Sequence, residues 1–189
     1  MTVRPIHLLG SPVLRQRAAE VAAVDDDVRA LVEDLLDTMR ADKGIGLAAN
    51  QVGIACRVAV VDANDGPPPL ALINPVIVER AGSVIQEEGC LSIPEIYGNV
   101  ERARRIVVET TTLEGARTRV EATELRARAI QHEIDHLDGV LFIDHLSPLK
   151  RRLLLNKWRR LRKGKEGFLK EVPAAAVEAR SFGEERAED

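Results

Sequence analysis

The sequence predicts an α+β fold of mainly antiparallel short strands around a central helix, with one helix near each end of the chain. Short apolar or alternating runs separated by turns fill residues 57–121, which is typical of strands. Apolar residues recur at helical spacing before and after this region. The connections between the runs are too short for crossover helices, which favours antiparallel pairing.

Size and composition predict one ordinary domain over residues 1–165 and a flexible acidic tail over 166–189. The chain has 189 residues, 45% of them hydrophobic and 30% charged, which is a soluble globular balance. Two cysteines, no charged-then-apolar leader and no apolar run long enough to cross a bilayer favour the reducing cytoplasm and argue against a membrane. We expect a monomer.

The first helix is predicted after residue 25, following an apolar stretch, 5–10, that turns at Gly10-Ser11-Pro12. Asp25-Asp26-Asp27 places negative charge at the start of the helix. The apolar positions then recur at helical spacing up to a stop near Gly44, and they are Val28, Leu31, Val32, Leu35, Leu36 and Met39.

Gly44-Ile45-Gly46 breaks that helix and leads into the segment that ends at Gln51. Glycines at alternate positions let main-chain groups approach an extended peptide, so this loop could pair with a substrate. A phosphate-binding loop is the rival interpretation, but the lysine and the strand–loop–helix spacing it requires are missing.

Five strands are predicted in the middle of the chain, at 57–62, 70–78, 83–87, 105–112 and 118–121. Gly66-Pro67-Pro68-Pro69 forms an exposed loop between the first two. Cys56 fits a buried residue of the first strand.

The central helix is predicted from about Thr123, a possible cap, to Leu137, with Gly139 just past its end.

His132 and His136 lie one turn apart on one face, so both imidazoles can bind one metal ion, with Glu133 beside them. The alternative is a surface helix that carries two histidines by chance. One stripe of the helix has members at spacings of four, three and four, namely Leu125, Ala129, His132 and His136. We expect this stripe to face the interior, which favours a metal site over a surface helix, because buried histidines need partners. Arg126 and Arg128 are expected to point to solvent.

A hydrolytic site needs a third protein ligand. His145 is possible, but it precedes Leu146-Ser147-Pro148, where a helix start is the simpler interpretation. Cys90 is the better candidate, because the glycine before it, Gly89, lets the backbone come close to a ligand. For a lone cysteine, the alternative is a small buried hydrophobic residue.

The last helix is predicted over about Pro148 to Lys163 and has basic residues but no acidic ones. On a chain of formal net charge -3, this asymmetry indicates an affinity for RNA or another polyanion. The other interpretation is an amphipathic helix that packs Leu153, Leu154, Trp158 and Leu161, and the two are compatible on opposite faces.

Three motifs together resemble those of the peptide deformylases, in order and at similar separations. They are Gly44-Ile45-Gly46-Leu47-Ala48-Ala49-Asn50-Gln51, Glu88-Gly89-Cys90-Leu91-Ser92 and Gln131-His132-Glu133-Ile134-Asp135-His136. The similarity runs from about Ile6 to about Lys163. Glu124-Leu125-Arg126 departs from it, since the family usually has a glycine and two leucines there.

The resemblance implies removal of the N-formyl group from the initiator methionine of nascent polypeptides, with release of formate. Cys90, His132 and His136 would hold the ion, and Glu133 would act as general base and acid. The resemblance further implies that Gln51 and the Leu91 backbone N–H stabilise the oxyanion. The substrate would contact Ile45, Gly46, Gly89, Leu125 and Ala129.

The resemblance also implies Fe(II) as the native ion, with Zn, Ni or Co as substitutes, whereas ligand softness alone would favour zinc. The resemblance further implies docking on the ribosome through the basic helix predicted at Pro148 to Lys163. Two other functions compete. A metalloprotease lacks its usual downstream ligand, and a non-catalytic RNA-binding protein with a closed structural metal site would leave Glu133 and Gln51 without a role.

Overall fold

The computed structural model of the protein describes residues 2–173 and confirms the α+β class. Its three α-helices are α1 (Asp26–Ala41), α2 (Glu124–Leu137) and α3 (Pro148–Leu161). Short 3₁₀ turns occupy Pro12–Arg15, Ala49–Val52 and Phe142–His145. No helix within residues 2–173 combines the length and the apolar character needed to span a membrane.

The strands form three antiparallel sheets, the largest of which runs in the order β2-β3-β4-β7-β8. β5 pairs with β6, and β1 pairs with β9. The strands are β1 (Ile6–His7), β2 (Gly46–Ala48), β3 (Val58–Val61), β4 (Leu70–Ala81), β5 (Val84–Glu88), β6 (Gly98–Arg102), β7 (Arg105–Thr111), β8 (Arg117–Thr123) and β9 (Leu169–Lys170).

The helix α1 starts as its sequence predicts. The Asp25 carboxylate accepts a hydrogen bond from the Val28 backbone N–H at 3.0 Å and so caps one of the free N–H groups of the first turn. The buried side of α1 packs on β2 and β3, and Leu35 and Met39 are fully buried there. The helix ends at Ala41, shortly before Gly44.

The helix α2 lies across the large sheet and is its main partner. Ala127, Ile130 and Leu137 belong to one core cluster together with Ala59 and Ile106 of the sheet. Burial of these apolar side chains holds the helix in place, at roughly 25 cal/mol per Å² of apolar surface removed from water. Thr123 is the N-cap residue of α2 as predicted, although its side chain makes no capping hydrogen bond.

The five predicted strands are present with shifted ends, whereas β1, β2, β6 and β9 were not predicted. Two of these four have only two residues and β2 has three, which is too short for a pattern of alternation. Cys56 lies just before β3, in an isolated bridge to Ala19, and is partly buried.

The arginines of α2 do not point to solvent as predicted. Arg126 is 7% exposed because its guanidinium binds the Asp65 carboxylate at 2.6 Å and the Pro67 carbonyl at 2.9 Å. Arg128 is equally buried and donates to the Glu87 carbonyl at 2.6 Å. Both guanidinium groups are buried because carbonyl and carboxylate oxygens satisfy their donors.

Two leucines are more exposed than their helical spacing predicts. Leu125 is 45% exposed, at one end of a stripe whose other members, Ala129, His132 and His136, are mostly buried. On α3, Leu153 is 57% exposed, whereas Trp158, Leu154 and Leu161 pack as expected into a core cluster that contains Phe142. Helical periodicity identifies a face, but the width of the covered surface depends on neighbouring elements.

The fold continues past residue 165, where the sequence places the start of a flexible tail. Lys170 of β9 pairs with Ile6 of β1, and Val172 joins the core around α1. A Cβ atom on Gly10 would collide with the Phe168 ring, so this segment lies directly on the chain near the first turn. Residues 174–189, the rest of the predicted tail, lie outside the described part of the chain.

Candidate metal centre and active site

A cleft of about 480 Å³ opens between α2, the loop that enters β2 and the segment 87–97. Its walls combine apolar side chains with carboxylate, imidazole and thiol groups, a typical composition for a catalytic pocket. It contains almost all the residues predicted for the site, namely Ile45, Gly46, Gln51, Gly89, Cys90, Leu91, Leu125, Ala129, His132 and Glu133. His136 lies behind this wall, fully buried.

The three predicted metal ligands lie together at the bottom of the cleft. The His136 Nε2 atom is 3.2 Å from both the Cys90 Sγ atom and the His132 Nε2 atom. Tetrahedral zinc, with bonds to nitrogen of about 2.0–2.1 Å, would place two nitrogens about 3.3 Å apart. The donors therefore fit one divalent ion. Among the described residues the group has only these three members, which leaves a fourth coordination position for water or substrate.

Burial and the neighbouring His132 lower the pKa of His136 well below its usual value. This shift keeps the imidazole neutral, which is the form that binds a metal. The backbone carbonyl of His136 accepts a hydrogen bond from the Asn50 side chain, so the short 3₁₀ turn after β2 also positions this ligand.

Glu88 orients His132 from behind. Its carboxylate lies 3.2 Å from the His132 Nδ1 atom, and Arg102 donates to the two Glu88 oxygens at 2.9 and 3.0 Å. Burial alone would raise the pKa of Glu88, but these hydrogen bonds and charges outweigh it and lower the pKa to about 2. The carboxylate is therefore ionised and fixes the tautomer in which His132 Nε2 faces the metal site.

His145 does not join the ligand set. Its Nε2 atom binds the Asp135 carboxylate at 2.7 Å, and Asp135 in turn binds Arg102 at 2.5 Å. These groups lie on the side of α2 that faces away from the cleft. The helix α3 starts at Pro148, with Ser147 as its cap, as the sequence predicts.

Glu133 is buried beside the ligands, with 3% of its surface exposed. Its Oε2 atom has no hydrogen-bond partner among the described residues. Burial raises the pKa of Glu133 to about 7, and a divalent cation at the ligands would oppose this shift. A Cβ atom on Gly46 would collide with the Glu133 Oε1 atom, so glycine at 46 makes room for the carboxylate.

The Gln51 side chain is fixed with its amide nitrogen toward the thiol. Its Oε1 atom accepts from the Ala48 N–H at 2.9 Å, which leaves Nε2 to donate to Ser92 Oγ at 3.1 Å. The same nitrogen is 3.6 Å from Cys90 Sγ. A donor held in this way needs little reorganisation to reach an oxygen on a substrate.

Apolar groups form the remaining wall of the cleft. Ile45, Leu125 and Ala129 surround the space in front of His132 and Glu133. Tyr97 was not predicted, and it covers Gly89, where a Cβ atom would lie 2.7 Å from the ring. Arg102 and Ser92 were also missed as supports, since their partners lie far away in the sequence.

Comparison with known proteins agrees with this geometry. The family model described as polypeptide deformylase matches residues 3–152. The chain belongs to the polypeptide deformylase family. A peptide deformylase from Alkalilimnicola ehrlichii is 50% identical over 163 residues, covering 85% of this chain and 92% of that protein. One from Rhizobium meliloti is 45% identical over 167 residues, covering 86% of this chain and 96% of that protein.

Solved structures of deformylases show the same fold. The crystal structure of the Ehrlichia chaffeensis enzyme has a TM-score of 0.82 at 34% identity and covers 86% of this chain and 98% of its own. A Synechococcus elongatus deformylase in complex with actinonin has a TM-score of 0.75 at 44% identity, covering 80% of this chain and 84% of its own. The family consists of enzymes whose function is metal-dependent deformylation.

Proposed function

We propose that this chain removes the N-formyl group from the initiator methionine of nascent polypeptides and releases formate. The observation that carries this proposal is the buried Glu133 carboxylate beside a three-donor metal group, because its Oε2 atom has no hydrogen-bond partner within residues 2–173. A structural metal site would have no use for such a carboxylate, whereas amide hydrolysis needs a proton carrier.

Cys90, His132 and His136 would hold one divalent ion, which when bound supplies Lewis acidity to activate water and polarise a carbonyl. Glu133 would accept the proton of the attacking water through its Oε2 atom. It then donates that proton to the leaving amino group, so one residue serves both halves of the reaction. Gly46 keeps the carboxylate within reach by leaving it room to lie along the cleft.

Gln51 Nε2 and the Leu91 backbone N–H would stabilise the oxyanion of the tetrahedral intermediate. The support for Gln51 is its orientation, because Oε1 is anchored by the Ala48 N–H and Nε2 faces the ligand group. Leu91 follows the ligand Cys90 directly and lines the same cleft. Donors of this kind act by being fixed before the charge develops.

The methionine side chain would lie against Ile45, Leu125 and Ala129, with the peptide backbone beside Gly46 and Gly89. β2 is an edge strand of the large sheet, so a peptide can pair along it by strand addition. We expect the formyl site to be too cramped for an acetyl group. Comparable cleavage of acetyl-Met and formyl-Met peptides would contradict this expectation.

We further propose Fe(II) as the native ion, with Zn, Ni or Co as functional substitutes. A thiolate with two imidazoles accepts any of these borderline ions, so the donor set alone does not select one. Iron would make the enzyme sensitive to oxygen through oxidation of the metal or of Cys90. Anaerobic purification followed by metal analysis tests the assignment, and zinc as the sole metal of a fully active native enzyme would contradict it.

The basic helix α3 supports association with the ribosome, and a monomeric cytoplasmic enzyme would suit that role. Lys150, Arg152 and Arg160 are exposed on α3. Co-sedimentation with ribosomes should weaken as salt rises, and replacing these three residues with glutamine should abolish it. Binding that is unaffected by the triple replacement would place the contact elsewhere.

Formate release from a formyl-Met tripeptide by anaerobically purified protein tests the central proposal. The matched variant is Glu133→Ala with equal metal content. Formate release by the native chain, with almost none from the variant, would support deformylation and the role of Glu133. Absence of turnover by the intact, metal-loaded chain would overturn the proposed activity.

A further inference from the structure

The C-terminal strand β9 brings a charged side chain to the active-site cleft. This strand lies beyond residue 152, where the match to the family model ends. Backbone pairing of Lys170 with Ile6 and burial of Val172 hold it in place. The Phe168 carbonyl also accepts a hydrogen bond from the Leu8 N–H at 2.7 Å.

Lys170 reaches from β9 to the rim of the cleft. Its Nζ atom contacts both oxygens of the Asp42 carboxylate, at 2.6 and 2.7 Å. Both residues line the same cavity as Cys90 and Glu133. The pair is mostly covered rather than free in solvent, because the lysine side chain is 32% exposed and the aspartate side chain 13%. Two opposite charges therefore meet inside the space that a substrate enters.

The loop that joins α1 to β2 shows where the Lys170–Asp42 pair lies relative to Glu133. Gly46 marks the reacting end, since it lies against Glu133, and Asp42 is four residues earlier in the chain. Asp42 and Lys43 form a turn after α1 rather than a strand, so the four residues from Asp42 to Gly46 span at most about 14 Å. An extended peptide advances about 3.3 Å per residue, so it covers that distance within about its first five residues.

We propose that the Lys170–Asp42 pair determines how the enzyme responds to charge in the third to fifth residues of its formylated peptide. In the native enzyme the ammonium and the carboxylate neutralise each other, so this part of the rim presents little net charge to the peptide. Removing either partner exposes the charge of the other to the substrate. This inference rests on the proposed deformylase activity of the same cleft.

A structural role for Lys170 is the competing interpretation. The salt bridge could simply fasten β9 to the end of α1 and so hold the loop that carries Ile45 and Gly46. Loss of that fastening would slow all peptides alike, whatever their charge. Charge selectivity therefore separates the two roles, since only a rim that faces the substrate distinguishes lysine from glutamate.

The experiment compares pentapeptides that begin with formyl-Met, are otherwise alanine, and carry one Lys or one Glu at position three, four or five. The measured quantity is the ratio of kcat/KM for the Lys peptide to that for the matching Glu peptide. Lys170→Met should raise this ratio about threefold at one or more positions, and Asp42→Asn should lower it by a similar factor. The change should lie in KM and shrink at high salt.

The double variant and a remote lysine provide the controls. Lys170→Met combined with Asp42→Asn should return the ratio close to the native value, because both charges are gone. Lys165→Met removes an exposed lysine that does not line the cleft and should leave the ratio unchanged. Equal loss for both peptides in each single variant, or ratios that do not move, would overturn the proposal. Failure of the native chain to turn over the all-alanine peptide would instead refute the deformylase activity.

Discussion

The two faces of α2 differ in how far their polar groups are hydrogen-bonded. On the face away from the cleft, Gln131 bonds to the N–H and the carbonyl of Ala103, and Asp135 bonds to Arg102 and His145. On the cleft face, Glu133 Oε2 has no partner within residues 2–173. The hydrogen-bonded groups on one face therefore fix the position of the helix, whereas the Glu133 carboxylate on the other face can bind a substrate or water.

This difference also explains how the site tolerates an unfavourable group. A buried polar atom without a partner costs about 1–3 kcal/mol, and here it coincides with a raised pKa of Glu133. The opposite face offsets that cost, because Ile130 and Leu137 are fully buried against the sheet and the Arg102 network is complete. The packing of the opposite face therefore stabilises the helix despite the buried carboxylate of Glu133.

The largest expected effect is at Glu133, the residue whose carboxylate lacks a partner within residues 2–173. Glu133→Gln keeps the shape of the side chain but removes its ability to accept a proton, so turnover should fall about 10³-fold while the metal content stays the same. Initial rates of formate release at equal metal loading measure this. Glu124→Gln, an exposed carboxylate on the same helix, is the control and should keep native turnover. Substantial turnover by Glu133→Gln would mean that another group carries the proton.

A second effect concerns the donor that faces the ligands. Gln51→Leu removes the amide nitrogen near Cys90, and kcat should fall about 10²-fold if that nitrogen stabilises the oxyanion. Ser92→Ala leaves the amide in place but removes the hydroxyl that it contacts at 3.1 Å, so the loss should be smaller. Steady-state kinetics on a formyl-Met peptide separates the two variants. An effect confined to KM in Gln51→Leu would assign this residue to binding instead.

The Arg102–Glu88 pair that supports His132 should control affinity for the metal more than chemistry. Glu88→Gln removes the negative charge that holds His132 and pairs with Arg102, and affinity for the ion should fall 10- to 100-fold. Competition with a chelator of known affinity measures this change. Glu87→Gln, at the exposed neighbouring carboxylate, should leave the affinity unchanged. Equal losses in both variants would show that the effect is general electrostatics rather than orientation of the ligand.

The sequence predicts the parts of the site that depend on local geometry. His132, Glu133 and His136 are brought together by one turn of helix, and the spacing alone places them on α2. Cys90 is brought to them by the tertiary fold, so the sequence alone could only propose it through the glycine that precedes it, and the resemblance to a family supported that choice. Arg102 and Arg126 could not be placed from sequence, because Arg102 meets Asp135 across 33 residues and Arg126 meets Asp65 across 61.

The smallest expected effect lies at the start of α2, where Arg126 stands in place of the usual leucine. Arg126 and Asp65 tie the loop at 65–68 to the helix, but Asp65 is partly exposed and water can replace much of the contact. Arg126→Leu should therefore lower the free energy of unfolding by only about 1 kcal/mol. Urea unfolding of Arg126→Leu, Asp65→Ala and the double variant measures the coupling between them. A coupling near zero would mean that the Pro67 and Pro68 carbonyls, rather than the ion pair, account for the burial of this arginine. Turnover within twofold of native in all three would show that Arg126 and Asp65 support the fold and not the chemistry.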